Sequence, residues 1–218
     1  MTVHLRNGPH GYGVVTKTLH WLTVAAIAAQ FAVGWTMDFD EGADRADDAL
    51  DAEADRLEED AEQRGDAAED AAEAEIERRE DALDAREDDQ ASEVFSDVIT
   101  GSAFADGISL PELHVLLGLF VIVLALVRIL WRRATPLPPW AEHLSAGERR
   151  LEGLLEKLLL ALLVVVPASG LLLVAADDDW LPLHVAAQIG FLVVIAAHVG
   201  LVLSHTVVRR NRHLARML

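Results

Sequence analysis

The chain carries nine histidines in 218 residues, and four of them, His20, His114, His184 and His198, fall inside long apolar stretches. An ionisable side chain in such surroundings is expensive to place and marks function by default. His184 and His198 are 14 residues apart. At about 100° and 1.5 Å per residue, a helix puts them roughly 40° apart around its axis and roughly 21 Å apart along it. They therefore share one face at two depths. Neutral imidazole is an iron ligand, and coordination removes the penalty of leaving a basic group in hydrocarbon. One such histidine alone is as well explained by a hydrogen bond to a neighbouring helix. Four that pair in depth are a ligand set.

The elements that must position them are four apolar runs, each near the 20 or so residues a bilayer crossing takes. They read as Thr18 to Met37, Leu113 to Trp131, Leu158 to Ala176 with an amphipathic lead-in from Leu151, and Leu183 to Val208. Helices that alternate in direction bring His114 level with His184 near one membrane face, and His20 level with His198 near the other. A haem held between two helices needs such a pair, one axial imidazole from each side. The expectation is two haems, with His20, His114, His184 and His198 as metal ligands and no catalytic acid, base or nucleophile.

Other residues join this scheme. Gly118, one turn after His114, would let a porphyrin approach closely. Gly190 and Gly200 could do the same on the fourth span, and close helix packing explains all three equally well. Arg128 follows His114 by 14 residues, so it lies on nearly the same face about 21 Å deeper. It can meet a propionate of the inner haem or snorkel to the interface. Pro167 and Gly170 are expected to kink or loosen the third span, which carries no histidine. His205, seven residues after His198, is a candidate for a quinone pocket or a proton relay. His4, His10, His143 and His213 read as ordinary interfacial residues.

Charge is sharply segregated. The chain is 52% hydrophobic yet has a formal net charge of −18. Residues 38–106 hold 28 Asp and Glu against 6 Arg, leaving 8 acids and 12 bases elsewhere. Lysine is limited to Lys17 and Lys157, and an acidic, lysine-poor surface is associated with high-salt environments. The absence of cysteine excludes disulfides, thiolate-held clusters and covalently attached c-type haem. Basic residues flank the spans on one side: Arg6 and Lys17, Arg128, Arg132 and Arg133, Arg149, Arg150 and Lys157, and Arg209, Arg210, Arg212 and Arg216. The acidic insert and Asp177-Asp178-Asp179 fall on the other. The positive-inside rule then makes both termini cytoplasmic. The N-terminus does not read as a cleaved signal, because the first apolar run starts late and ends at Thr36-Met37-Asp38.

The organisation expected is an all-α, integral membrane four-helix bundle. Residues 1–37 form the N-terminal segment and first span, 38–106 an acidic extracytoplasmic insert, and 107–218 the remaining spans with a cytoplasmic C-terminus. The insert is rich in Ala, Asp, Glu and Arg, and its composition favours helix. Ala46, Leu50, Ala54, Leu57 and Ala61 recur at helical spacing, followed by Ala68, Ala72, Ile76 and Leu83, with Gly65 between as a candidate turn. A helical hairpin and a solvated acidic linker are both open readings.

The residues resemble the prokaryotic cytochrome b561 family, related to the cytochrome b subunits of nickel–iron hydrogenases. The resemblance rests on Tyr12 and Leu19-His20-Trp21; on His114, Gly118, Arg128 and Arg132, then Thr135-Pro136-Leu137-Pro138-Pro139; on Pro167 and Gly170; and on His184, His198, His205 and Leu214-Ala215-Arg216-Met217. It covers nearly all of the chain outside residues 38–106, and the long insert departs from the family's short connection. It implies bis-histidine b haems and electron exchange with the quinone pool, as in a respiratory chain. A quinone-linked oxidoreductase fits this, as does a membrane-anchor subunit of a hydrogenase- or formate dehydrogenase-type complex. A haem-free scaffold or sensor would make the insert the working part. Expected partners are the lipid bilayer, quinone, a redox protein and a second copy of the chain; nucleic acid is not expected.

Overall fold

A computed structural model of the chain describes residues 4–9, 11–37, 41–140, 144–176, 178–210, 214 and 217. His10, His143, His213, Arg212, Ala215, Arg216, Asp38 and Asp177 lie outside the described residues, as do the side chains of Ala46 and Leu83.

The protein is all-helical. Helix α1 runs Val14–Met37, α2 Glu41–Glu62, α3 Asp66–Thr100, the short α4 Ala103–Asp106, α5 Leu110–Ala134, α6 Ala146–Ala175 and α7 Leu181–Leu203, with a π-helical turn at Ser204–Val208. Four of these, α1, α5, α6 and α7 extended through Val208, are long and apolar enough to cross a membrane. They are the four spans expected from the sequence. Their outward surface is studded with exposed Leu, Val and Ile, such as Val123, Leu126, Leu130, Ile189 and Val193. In water such a surface would be a liability; against lipid it is the natural exterior.

The polar starts of two spans are fixed by reciprocal caps. Ser109 Oγ accepts from Glu112 N (3.4 Å) while Ser109 N donates to Glu112 Oε2 (2.6 Å). Ser145 and Glu148 repeat the motif at α6, at 3.3 and 2.8 Å. Each box satisfies backbone donors that a helix start leaves unpaired. Arg132 and Arg133 close α5 in its last turn, where cations complement the helix dipole.

Backbone packing runs in chain order: α1 on α5, α5 on α6, α6 on α7. All four run antiparallel to their neighbours, giving a terminal end, where the N- and C-terminal segments lie, and a hairpin end. At the terminal end Asn7 Oδ1 accepts from Gly13 N and Thr16 Oγ1 (2.9 and 2.8 Å), and Thr16 Oγ1 accepts from Trp131 Nε1 (3.0 Å). Trp21 Nε1 donates to the Met217 carbonyl at 2.9 Å, which ties the C-terminal segment onto α1.

The insert is a helical hairpin. Gly65 turns it at φ 94°, a backbone setting that favours glycine. The seam is the one the spacing gives: Ala61 and Ala72 are buried, while Leu50, Ala54, Leu57 and Ala68 are half-buried. Arg79 bridges the two helices, 2.5 Å from Glu53 on α2 and 2.9 Å from Glu75 on α3. The hydrogen bond from Arg79, with Arg78 close by, holds the Glu75 carboxyl below the usual carboxylate range. Helix α3 runs to Thr100, near the end of the insert. Gly101 ends it in the left-handed region, φ 83°, its N–H bonded to the Asp97 carbonyl at 2.9 Å. Helix α3 also packs on α5 and α6.

Candidate functional site: two histidine layers

At the hairpin end, α5 presses His114 against α1. A Cβ added at Gly34 would come 3.1 Å from His114 Cε1, and Gln30 Nε2 sits 2.9 Å from His114 Nε2. On the other side of the bundle α7 presses His184 against α6. A Cβ at Gly170 would come 2.9 Å from His184 Cε1, so the ring lies on bare backbone there. His184 Nδ1 is 3.0 Å from the Val166 carbonyl oxygen and 3.0 Å from Ser169 Oγ. A carbonyl only accepts, so Nδ1 carries the proton and Nε2 keeps its lone pair. Gln188 Nε2 meets that lone pair at 2.8 Å. Backbone-carbonyl orientation of the distal ring nitrogen is the arrangement that prepares a histidine for metal ligation.

At the terminal end, His20 on α1, Arg128 on α5 and His198 on α7 lie close enough for their charges to bear on one another. Trp21 packs edge-on against the His20 ring, centroids 5.5 Å apart. Arg128 also feels Glu156 and Arg132, and Arg132 forms an ion pair with Glu156. His198, the residue matched in depth to His20 by spacing, lies within its electrostatic reach.

Between the layers lies the apolar core: Ala26, Val121, Leu124, Ala125, Leu163 and Phe191, with Phe31 packed on it. Phe31 and Phe191 stack at 6.4 Å and 29°. Phe191 is midway between His184 and His198 in sequence, so the stack spans from α1 to α7 at mid-depth.

Several residues have places the sequence did not reveal. Gly118 is buried, and a Cβ added there would lie 3.6 Å from Pro167 Cβ and 3.7 Å from Gln30 Nε2, so it faces the α1–α5–α6 packing. Helix α6 continues through Pro167 without interruption, and Gly170 is the bed of the His184 ring. A Cβ at Gly190 or Gly200 would meet open space. His205 is fully buried in the π-helical turn, Nε2 3.8 Å from Glu148 Oε1, and Glu148 also pairs with Arg209. His4 is exposed. Gln30, Gln188, Ser169, Gly34 and the Val166 carbonyl were missed. Gln30, Gln188 and Ser169 carried a signal, a polar residue within an apolar run; Gly34 and the Val166 carbonyl carried none.

This site fits an iron held by a porphyrin. Gln30 Oε1 is buried without a hydrogen-bond partner among the described residues, and at the hairpin end Nε2 of His114 and of His184 each meets an amide nitrogen, of Gln30 and Gln188, that an iron would displace.

Fold and site together define a multi-pass membrane protein whose polar groups are gathered in histidine layers. The chain belongs to the prokaryotic cytochrome b561 family, which it matches over residues 11–218. It is therefore a membrane b-type cytochrome of electron transfer, from a family that binds haem b. No curated protein and no solved structure matches it.

Proposed function

We propose that the chain carries electrons across the membrane on two b haems, each ligated by two histidines. His114 and His184 ligate at the hairpin end, and His20 and His198 at the terminal end. The observation that carries this reading is the pair of histidine layers, about 21 Å apart along α7, separated by an apolar core. Bound haem supplies reversible one-electron chemistry at iron. The chain's own residues do the rest. The Val166 carbonyl and Ser169 hydroxyl orient His184. Gly34 and Gly170 give the outer rings clearance. Arg128 offers a cation to the inner propionates. Phe31, Phe191 and their neighbours exclude water between the layers.

Helix α1 and residues 107–218 act as one haem-binding bundle, and residues 38–106 as an appended extracytoplasmic unit. Arg132, Arg133, Arg149, Arg150, Lys157, Arg209 and Arg210 crowd the terminal end, which supports a cytoplasmic placement of both termini in the cell membrane. Exchange with the quinone pool takes place at that end. Quinol oxidation releases two electrons and two protons. A haem held by His20 and His198 would accept those electrons one at a time. Buried His205 and the partly exposed carboxylate of Glu148, 3.8 Å away, lead protons to water.

The test is a dithionite-reduced minus air-oxidised spectrum of detergent-purified protein, with haem quantified per chain. Wild type should hold about two b haems. His20→Ala, His114→Ala, His184→Ala and His198→Ala should each remove or perturb one. A well-folded wild-type protein without haem sinks the proposal, and failure to exchange electrons with a quinone analogue sinks its quinone arm.

A further inference from the structure

Beside the inner layer, at the terminal end, is a pocket of about 360 Å³ between the end of α5, the following loop and the start of α6. Its charged lining is four cations, Arg132, Arg149, Arg150 and Lys157, and one acid, Glu156. Arg132 is committed to Glu156, and Arg149 uses its Nε on the Leu144 carbonyl at 3.0 Å. Arg150, Lys157 and the outer edge of the Arg149 guanidinium remain to face a ligand. The volume is in the range of real ligand pockets, roughly 300–1,000 Å³.

Three further features say what that ligand is. Trp140, part of the lining, is 44% exposed; an exposed tryptophan at a span's end belongs at headgroup depth. The pocket's apolar wall is Leu154, 53% exposed, and the next residues on that stripe, Leu151 and Leu158, are 45% and 39% exposed. These leucines form a continuous i, i+3/i+4 track leading from the cations down the lipid-facing side of α6. A cationic cup that opens onto such a track matches a phosphate attached to acyl chains better than a free anion, which would use the cations and leave the leucines idle.

We infer that this pocket binds the phosphate headgroup of an anionic glycerophospholipid, with Arg149, Arg150 and Lys157 on the phosphate, Trp140 at the glycerol level and an acyl chain along Leu154 and Leu158. Guanidinium groups grip phosphate oxygens bidentately, and the lysine adds a compact point charge. Basic pockets between spans on the cytoplasmic side are suited to this class of ligand. The site stands on residues separate from the histidines and does not depend on the haem assignment.

The experiment is native mass spectrometry of full-length protein in detergent, after exchange into mixed micelles of phosphatidylglycerol and phosphatidylcholine. Phosphatidylglycerol should be retained over phosphatidylcholine by about tenfold or more, and the double variant Arg149→Gln/Arg150→Gln should abolish that preference. The single variant Lys157→Gln should weaken it. Each variant is accepted only with wild-type elution and helical content, so a folding defect cannot mimic loss of binding. Equal retention of the two lipids, or an undiminished preference in the double variant, overturns the inference. Displacement of the lipid by inorganic phosphate at modest concentration also overturns it, because the site would then recognise the free anion.

Discussion

Gly170→Ala is the sharpest single test of the outer layer. The added methyl would lie 2.9 Å from His184 Cε1, 3.3 Å from Nδ1 and 3.5 Å from Nε2. Comfortable carbon–carbon contact is about 3.5–4.0 Å, so the ring must retreat by roughly 0.6–1 Å. It cannot do so and keep Nδ1 at 3.0 Å from both the Val166 carbonyl and Ser169. Overpacking of this kind costs typically 1–3 kcal/mol, and a lost hydrogen bond about 0.5–1.5 kcal/mol more. The displacement exceeds the ~0.5 Å within which a ligand constellation must be held. Haem per chain should therefore fall from about two towards one, with the inner haem's spectrum unchanged. The assay is pyridine haemochrome quantification against protein concentration, paired with circular dichroism and gel filtration. Two haems with unaltered spectrum and midpoint potentials in a folded Gly170→Ala protein would refute the packing argument, and with it the assignment of His184 as a ligand held against α6.

Three other outcomes follow from the same geometry. Ser169→Ala removes an acceptor from the His184 Nδ1–H but leaves the Val166 carbonyl. A less electron-rich imidazole stabilises ferric iron less, so the midpoint potential of one haem should rise by roughly 20–40 mV, the one-electron equivalent of about 0.5–1 kcal/mol; a redox titration reads it. Replacing residues 41–100 by a short flexible linker should leave haem content and both spectra intact, while the thermal midpoint drops because α3 no longer packs on α5 and α6; loss of haem would show that the hairpin is part of the site. Deleting Val194, within α7 between His184 and His198, should rotate one relative to the other by about 100°; one haem should then be lost, as read by haem per chain.

The four spans were legible because a bilayer crossing needs a long unbroken apolar run, and no other segment of this chain offers one. Their polar ends were not. Helix α6 begins at Ala146, five residues before the amphipathic lead-in read from Leu151 and 12 before the apolar run at Leu158. Its first turns are built on the Ser145–Glu148 cap and an amphipathic face, to which hydropathy is blind. The hairpin was half legible: Gly65 and the alanine seam marked it, but an alanine-rich seam alone could not separate a hairpin from a solvated linker. What the structure adds is α2 packed on α3 across that seam, spanned by the Arg79–Glu53 bridge, a pairing across helices that spacing within one helix does not disclose. In the site, the histidines were legible by type and period. The groups that orient them were not, because a backbone carbonyl such as that of Val166 has no letter of its own, and a glycine such as Gly170 reads equally as a hinge or as a bed for a ring.

The recurrence of one spacing explains why so plain a bundle can hold two distinct layers. His184 and His198 are 14 residues apart on α7, His114 and Arg128 are 14 apart on α5, and His20 and Gly34 are 14 apart on α1. Fourteen residues is close to four helical turns, so each pair returns to nearly the same face with a rise of about 21 Å. In antiparallel helices a shared spacing is what lets both layers come into register at once: His114 lies against Gly34 at one end while Arg128 comes within electrostatic reach of His20 at the other. The third helix, α6, enters differently. It lends one layer the Gly170 bed and the Val166 carbonyl, and the other the Glu156 carboxylate beside Arg128 and Arg132. Three helices thus set the two depths by spacing alone, and the fourth supplies the contacts that orient the groups placed there.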